Sequence, residues 1–472
     1  MPADTPLSLA ETAARLRRRE LRASTLFAGC ETAYRQSDAY LNAYKTWHEA
    51  GAARQAQAMD LLFDNGVDLG PLMGVPVSVK DLYGVPGLPV FAGSDQALPA
   101  SWQRAGGVMR AVLAQGAVVT GKTHTVEFAF GGLGVNAHWG TPVNPWSAND
   151  VRVPGGSSSG AGVSLVQGSA LLALGTDTAG SVRVPAAFTG QVGLKTTAGR
   201  WPTDGIVPLS STLDTPGLLA RTVADLAYAF DTIDARLGGG GMPPARPMDL
   251  AGLRIGLPEA FFWRDADAAV VACIASACKA LEERGAVICP IDLPGCESAY
   301  DIFRQGGLAA PELSAFMQLN FPDKIARLDP VVRARVEGAE RVSSVEYLRR
   351  KAVLEATGRA ALSVFDTVDV LLSPTVAIVP PRLADLSDMA AYGQANMLAL
   401  RNTVIANLFG WCALTLPAGA DAAGMPVGLQ LMAPPMDESR LIRIGLAVED
   451  VLGQGPELLG VAPLLASLPA QL

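Results

Sequence analysis

The sequence predicts an α/β fold, on three observations. Gly74–Asp81, GVPVSVKD, is an apolar run of strand length that leads into a lysine, Lys80. A helical stretch, a glycine and an apolar strand follow one another at 113–119 (LAQGAVV) and again at 281–288 (LEERGAVI). LRIGLP, DADAAVVACIASACKALEERG and AVICPIDL then read in order as strand, amphipathic helix and strand, a β-α-β unit. The flanks of the two recurring units differ, so they share a supersecondary plan without being sequence repeats.

With 472 residues, 49% of them hydrophobic, the chain can bury one large α/β core. Its net charge of −8, from 37 basic and 45 acidic residues, excludes a basic nucleic-acid surface. Six cysteines without a C-x-x-C pair, and three histidines without ligand spacing, point to reduced thiols in a cytoplasmic protein and to no metal site. No cofactor is expected.

Taken in order, the N-terminal stretch to Gln36 lacks the apolar core of a secretory signal. Its Leu and Ala periodicity with Arg17, Arg18 and Arg19 suggests amphipathic helices with a solvated arginine face. Leu41 to Asp60 reads as another helix, which makes 1–65 a helical segment packed on a core domain of 66–472. Gly116–Thr123 is a literal G-x-x-x-x-G-K-[ST], but its middle residues Ala117, Val118, Val119 and Thr120 favour a strand, and Gly116 reads as the cap of the preceding helix. Trp139, Asn144 and Trp146 in HWGTPVNPW read as site wall or loop packing.

The run from Val153 to Val182 carries one charge, Asp177, among many Gly and Ser residues. That poverty of charge predicts burial with backbone groups brought close together. A short helix from about 160 to 167 and the strand ALLALGTD are expected, ending in the turn Thr178-Ala179-Gly180-Ser181. Several N–H groups can converge in such a turn, which is how an oxyanion is held. Gly156–Gly160 also fits G-x-S-x-G with Ser158 as nucleophile, yet His48, His124 and His138 all precede it, against the chain order of that elbow. A hydroxyl nucleophile without a histidine needs another base, and lysine is the alternative.

GVPVSVKD, PGGSSSGAG and GTDTAGSVRVPAAFTGQVGLKTT together resemble the amidase signature family, the Ser-Ser-Lys amidohydrolases. The resemblance continues through TGKTHTVEFAFGG, HWGTPVNPW, DVLLSPTV, NLFG and MPVGLQLMAPPMDESRL, and covers roughly Leu41 to Glu449. It implies one large mixed β-sheet covered by α-helices. It also implies that Lys80 is the catalytic base, Ser157 the bridging serine after a cis peptide from Gly156, and Ser181 the nucleophile. The backbone of Thr178, Ala179, Gly180 and Ser181 would form the oxyanion hole, with Ser158, Asp177 and Arg183 in support. Three positions depart from the family pattern: Ser159, Ala179, which adds a methyl group beside the oxyanion hole, and Thr189.

Beyond this tract, GLKTTAGR is followed by LDTPGLLARTVADLAYAFDTI, a turn and then a helix, and Gly238–Gly241 with Pro243, Pro244 and Pro247 reads as a hinge or linker. Ser276 and Lys279 fit S-x-x-K but sit inside an amphipathic helix. The helical stretch 297–360 is richer in charge, resembles the family least, and is either a substrate-selecting wall or ordinary surface. VDVLLSPTVAIV and ALTLPAGADAAGMPVGLQLMAP return to strands, the second as a hairpin about GADAAG, before a closing helix capped at Asp437.

The expected chemistry is hydrolysis of a carboxylic amide to acid plus ammonia or amine, through a Ser181 acyl-enzyme and a Ser157–Lys80 proton relay. The alternatives are the glutamine-hydrolysing component of a tRNA-dependent amidotransferase, a hydrolase of esters, carbamates or urea derivatives, and a binding protein on the same fold. The expected partner is a small amide, with no membrane, and a homodimer as default. The apolar and aromatic look of the wall favours small neutral or aryl amides.

Overall fold

A computed structural model describes residues 7–240 and 245–466. Its strands are β1 Tyr44–Trp47, β2 Pro76–Lys80, β3 Val118–Thr123, β4 Leu172–Asp177, β5 Val192–Lys195, β6 Thr215–Ala220, β7 Arg254–Pro258, β8 Val287–Ile291, β9 Val370–Pro374, β10 Cys412–Ala420 and β11 Pro426–Ala433. Among the described residues they form one sheet in the order β1-β3-β2-β4-β6-β5-β10-β11-β9-β7-β8. The sheet is mixed. β2 runs parallel to β3 and β4, and β7 parallel to β8 and β9, while the strands between β4 and β9 pair antiparallel. Every residue of β2, β3, β4, β5, β6, β9 and β11 is buried, so helices cover both faces.

The β-α-β unit forms as expected, with the helix Ala268–Glu283 between parallel β7 and β8. Asp421–Gly424 turns the antiparallel hairpin of β10 and β11. Gly116, at φ 76°, follows the helix Gly107–Leu113, and Gly121, Lys122 and Thr123 lie inside β3, with Lys122 Nζ 2.8 Å from the buried carboxylate of Asp81. A cationic group held there cannot cradle a phosphate. Lys279 stands exposed on its helix. Asp437 sits at the N-cap of Glu438–Leu452, but its side chain accepts no capping hydrogen bond.

Two expectations give way. The stretch 41–60 is not one helix: Ala23–Leu41 ends at Asn42, whose φ of 53° turns the chain, β1 then pairs antiparallel with β3, and Glu49–Asp64 is the next helix. The stretch read as a turn before VADLAYAF holds β6, a central strand between β4 and β5. A run as short as GLLA is strand or turn by pattern alone, and burial on both faces decides it. Of the glycine and proline linker, 241–244 lie outside the described residues.

Candidate active site

Parallel pairing of β2 with β4 brings Lys80 to the strand that leads into the Thr178–Ser181 turn. Lys80 is 0% exposed, and its Nζ lies 2.8 Å from Ser157 Oγ and 2.8 Å from Thr176 Oγ1. Burial lowers Lys80 to about 7, against the raising pull of Asp214 and Asp177. Near neutral pH much of it is therefore a free amine able to accept a proton. Asp81, the next residue, just past the end of β2, is buried in the pair with Lys122.

Ser157 follows a cis peptide bond from Gly156. The Ser158 hydroxyl donates to the Ser181 carbonyl, and its N–H reaches the same oxygen at 3.2 Å. A side chain committed to the backbone in this way clamps the turn. Ser181 lines a cavity of about 310 Å³. Its hydroxyl makes no hydrogen bond to another described residue, and it is not bonded to the Ser157 hydroxyl. Lys80 and Ser157 are thus already joined, whereas Ser181 stands near them unlinked.

Asp177 sets the shape of the turn. Its carboxylate accepts from Gly180 N–H at 2.7 Å and Val182 N–H at 3.1 Å, and from Arg183 Nε and Nη2 at 3.0 and 2.9 Å. Burial pushes this carboxyl up, but the charge and hydrogen bonds of Arg183 outweigh that and hold it at about 2. Arg183, also 0% exposed, directs its other N–H groups to Thr403 O, Gln430 Oε1 and Asn407 Oδ1. All donors of a planar guanidinium are satisfied this way. Gly180 adopts φ 129°, and a Cβ there would lie 2.1 Å from Thr403 Oγ1, so only glycine fits.

The commitment of Gly180 N–H to Asp177 corrects one expectation: the four N–H groups from 178 to 181 do not all point outward. Those of Thr178, Ala179 and Ser181 donate to no described residue and are the ones left for an oxyanion. Ala179 lines the cavity, and its carbonyl accepts from Thr403 Oγ1 at 2.7 Å, so its methyl group stands in the wall. Two residues escaped the sequence reading. Asn407 donates to Asp177 at 2.9 Å, and Asp214 accepts from the Thr178 hydroxyl and from the N–H groups of Leu209 and Ser210. NLFG contained a signal for the first, a polar residue in an apolar helix; LDTPG contained none beyond turn composition.

Asn144 is buried and donates to the carbonyls of Val153 and Phe188, while Trp146 Nε1 reaches Thr189 O, so both support the loop and line no part of the cavity. Trp139 packs on Phe91 and under the Lys45 ammonium. The cavity wall is instead built largely from 297–360, through Phe303, Gln305, Ala310 and Val342 among others. Its charged lining residues are Arg304 and Arg335, with no carboxylate. The rest of the lining is mostly apolar, as expected, and these two cations are set in it. The described residues contain no cluster of metal-ligating side chains, and no described helix is long and apolar enough to cross a membrane.

The amidase family model matches residues 29–442. The chain is 63% identical over 458 residues to the 2-amino-5-chloromuconic acid deaminase of Comamonas testosteroni, covering 97% of this chain and 99% of that one. It is 32% identical to the A-type component of the glutamyl-tRNA(Gln) amidotransferase of Salinispora arenicola, over 95% of this chain and 98% of that one. A solved amidase structure superposes with a TM-score of 0.84 at 27% identity, covering 95% of this chain and 100% of the other. With a mixed sheet carrying a buried lysine, a serine after a cis peptide and a serine at a polar turn, the chain belongs to the amidase family and is a hydrolase acting on carbon–nitrogen bonds.

Proposed function

We propose that this chain releases ammonia from a small carboxylate-bearing substrate, an amino-substituted muconic acid of the kind named for its Comamonas testosteroni relative, with Ser181 as nucleophile and Lys80–Ser157 as proton relay. The observation that carries it is one cavity holding Ser181 and its turn beside a wall whose charges are both arginines, with a near-neutral lysine 2.8 Å from the bridging serine behind it. Neutral Lys80 takes the proton of Ser157, Ser157 takes that of Ser181, and Ser181 Oγ adds to the carbon bearing nitrogen. In an amide that carbon is the carbonyl, and the oxyanion rests on the N–H groups of Thr178, Ala179 and Ser181. One such donor contributes on the order of 3 kcal/mol in comparable sites.

In an amino-muconic acid the electrophile is the carbon of the imine tautomer. Addition places Ser181 Oγ and an amino group on one carbon. The relay then protonates the nitrogen, ammonia leaves with the C–N electron pair, and water takes its place. Expulsion of Ser181 completes the sum, C=NH plus water giving C=O plus ammonia. The reaction requires Ser181 Oγ to come within reach of Ser157 Oγ once substrate is bound, a tightening that catalytic hydrogen bonds commonly show.

The test is ammonia release from 2-amino-5-chloromuconate by the purified chain, with a serine-directed phosphonate labelling the peptide that contains Ser181. Labelling of Ser158, or no release from any amide or aminodiene acid, would refute the proposal. The pH profile gives a second check. For an amide with no titrating group, kcat/KM should rise with pH up to about 7 and level off above it, because Lys80 acts as its free base.

A glutamine-hydrolysing role beside partner proteins is the second reading, favoured by the 32% identity to the amidotransferase component. Ammonia released from glutamine only when partners are present would support it. In the first reading the chain works in the cytoplasm, consistent with its free cysteines, and a homodimer is its default assembly.

A further inference from the structure

Arg335 differs from the paired arginines of the interior. Arg183 pairs with Asp177, Arg200 with Asp234 and Glu438, and Arg350 with Glu346. Arg335 is half-buried in the cavity wall, yet among the described residues no carboxylate oxygen lies within 4.0 Å of it. Its helix, Pro330–Ala339, begins at Asp329, whose carboxylate caps the helix at Val331 N–H, 2.8 Å away. Arg335 Nη1 donates to the Phe130 carbonyl, and the guanidinium lies 4.9 Å from the centre of the Phe130 ring. Its remaining N–H groups reach no described residue.

A desolvated cation without a counter-ion is costly to keep, and burial does pull Arg335 below the ordinary arginine range. The cost is offset if the ligand brings the missing charge. Arginine matches a carboxylate with two parallel hydrogen bonds and releases water more readily than lysine. A second donor stands in the same wall. Asn396 Oδ1 accepts from Gly132 N–H at 2.7 Å, which leaves its Nδ2–H₂ for the cavity. The loop carrying Phe130 holds two consecutive non-glycine residues in the left-handed region, Phe128 at φ 46° and Ala129 at φ 58°. Strain of that kind persists where surrounding structure fixes a wall.

We propose that Arg335, with Asn396 Nδ2 in the same cavity wall, is the specificity-determining site that binds a carboxylate of the substrate while Ser181 attacks the carbon bearing nitrogen. The inference rests on Ser181 being the reacting serine. It selects for carboxylated nitrogen compounds over neutral amides and acts on binding, not on bond breaking.

The test compares wild type with Arg335→Gln and Arg335→Lys on two substrates, 2-amino-5-chloromuconate and benzamide. A third measurement uses muconate, the dicarboxylate without the amino group, as protectant of Ser181 against the phosphonate. Arg335→Gln should raise KM for the dicarboxylate by about 10- to 100-fold with kcat within a few-fold. Its kcat/KM on benzamide should fall by no more than a few-fold, muconate protection should weaken by the same factor as KM, and Arg335→Lys should restore part of both. Equal losses on both substrates would mean a packing role and overturn the proposal, as would muconate protection that is unaltered in Arg335→Gln or missing in wild type. If muconate protects wild type through Arg335 but the aminodiene acid is not turned over, the carboxylate site stands and the substrate proposal fails. If benzamide is hydrolysed and muconate never binds, the serine chemistry stands and this inference fails.

Discussion

Ser181→Ala and Lys80→Met are each expected to lower kcat by about 10⁴- to 10⁶-fold, and the double variant to lie within about tenfold of either single one. The reason is that in the proposed relay the serine and the amine act only as a unit. Without its base the hydroxyl is not activated, and without the hydroxyl the base has nothing to activate. Losses that multiply would count against the relay. Folding separates this effect from damage. Lowering Lys80 from the ordinary lysine value of 10.5 to about 7 corresponds to roughly 5 kcal/mol held against the charged form. Methionine fills a similar volume and carries no charge, so the Lys80→Met protein should unfold at an equal or higher temperature below pH 7, despite leaving the hydroxyls of Ser157 and Thr176 without their amine. Between about pH 7 and 10.5 the unfolded chain binds the proton that the folded chain has released, so wild type gains stability relative to the variant as pH rises through that window. A variant both inactive and markedly less stable at pH 6 would point to a structural lysine.

The second large effect is expected at Arg183. Arg183→Met removes the cation paired with a buried carboxylate, and leaving such a charge alone costs about 3–5 kcal/mol. Asp177 would then take up a proton or draw in water, and either change loosens its hold on Gly180 and Val182. The turn that presents Thr178, Ala179 and Ser181 loses its shape, so activity should fall by about 100-fold or more even in the folded fraction. Adding Asp177→Asn to Arg183→Met should recover part of the stability, because the unpaired charge is gone, but not the activity. Denaturant midpoints and kcat measured side by side decide this, and a double variant less stable than Arg183→Met would be the contrary result. The wild-type pair also fixes an acid limit. Asp177 sits at about 2 when folded, below the ordinary carboxyl range, so its contribution is complete above about pH 4 and is lost as pH falls towards 2.

The fold was legible where pattern and length agreed. The glycine between helix and strand at Gly116 and Gly285, the apolar run into Lys80 and the hairpin about Asp421 all formed as their local chemistry requires. β1 was not legible, because four residues are too few to show alternation, and Asn42, which breaks the helix before it, is ordinary inside a polar stretch. The chemical residues were legible through the family resemblance of GVPVSVKD, PGGSSSGAG and GTDTAGSV, the last two lying in a tract of unusual composition. The wall was not. An arginine on an amphipathic helix looks the same in sequence whether it meets water or a cavity, so Arg335 emerged only once its lack of a counter-ion could be seen. The commitment of Gly180 N–H to Asp177 was likewise hidden, since it depends on which way one peptide faces.

The turn that carries Ser181 hangs from β4 and is braced by Asp177, Arg183 and Asn407, whereas much of the cavity wall comes from the helices between 297 and 360. Glu312 of that layer ties the two together, accepting from Ser210 Oγ, Ser211 Oγ and the Thr212 N–H in the loop whose Asp214 holds the Thr178 hydroxyl. A lineage could drift through new nitrogen compounds by altering one helical layer while that carboxylate and the turn were kept, and a laboratory transplanting the layer between relatives would carry Glu312 with it.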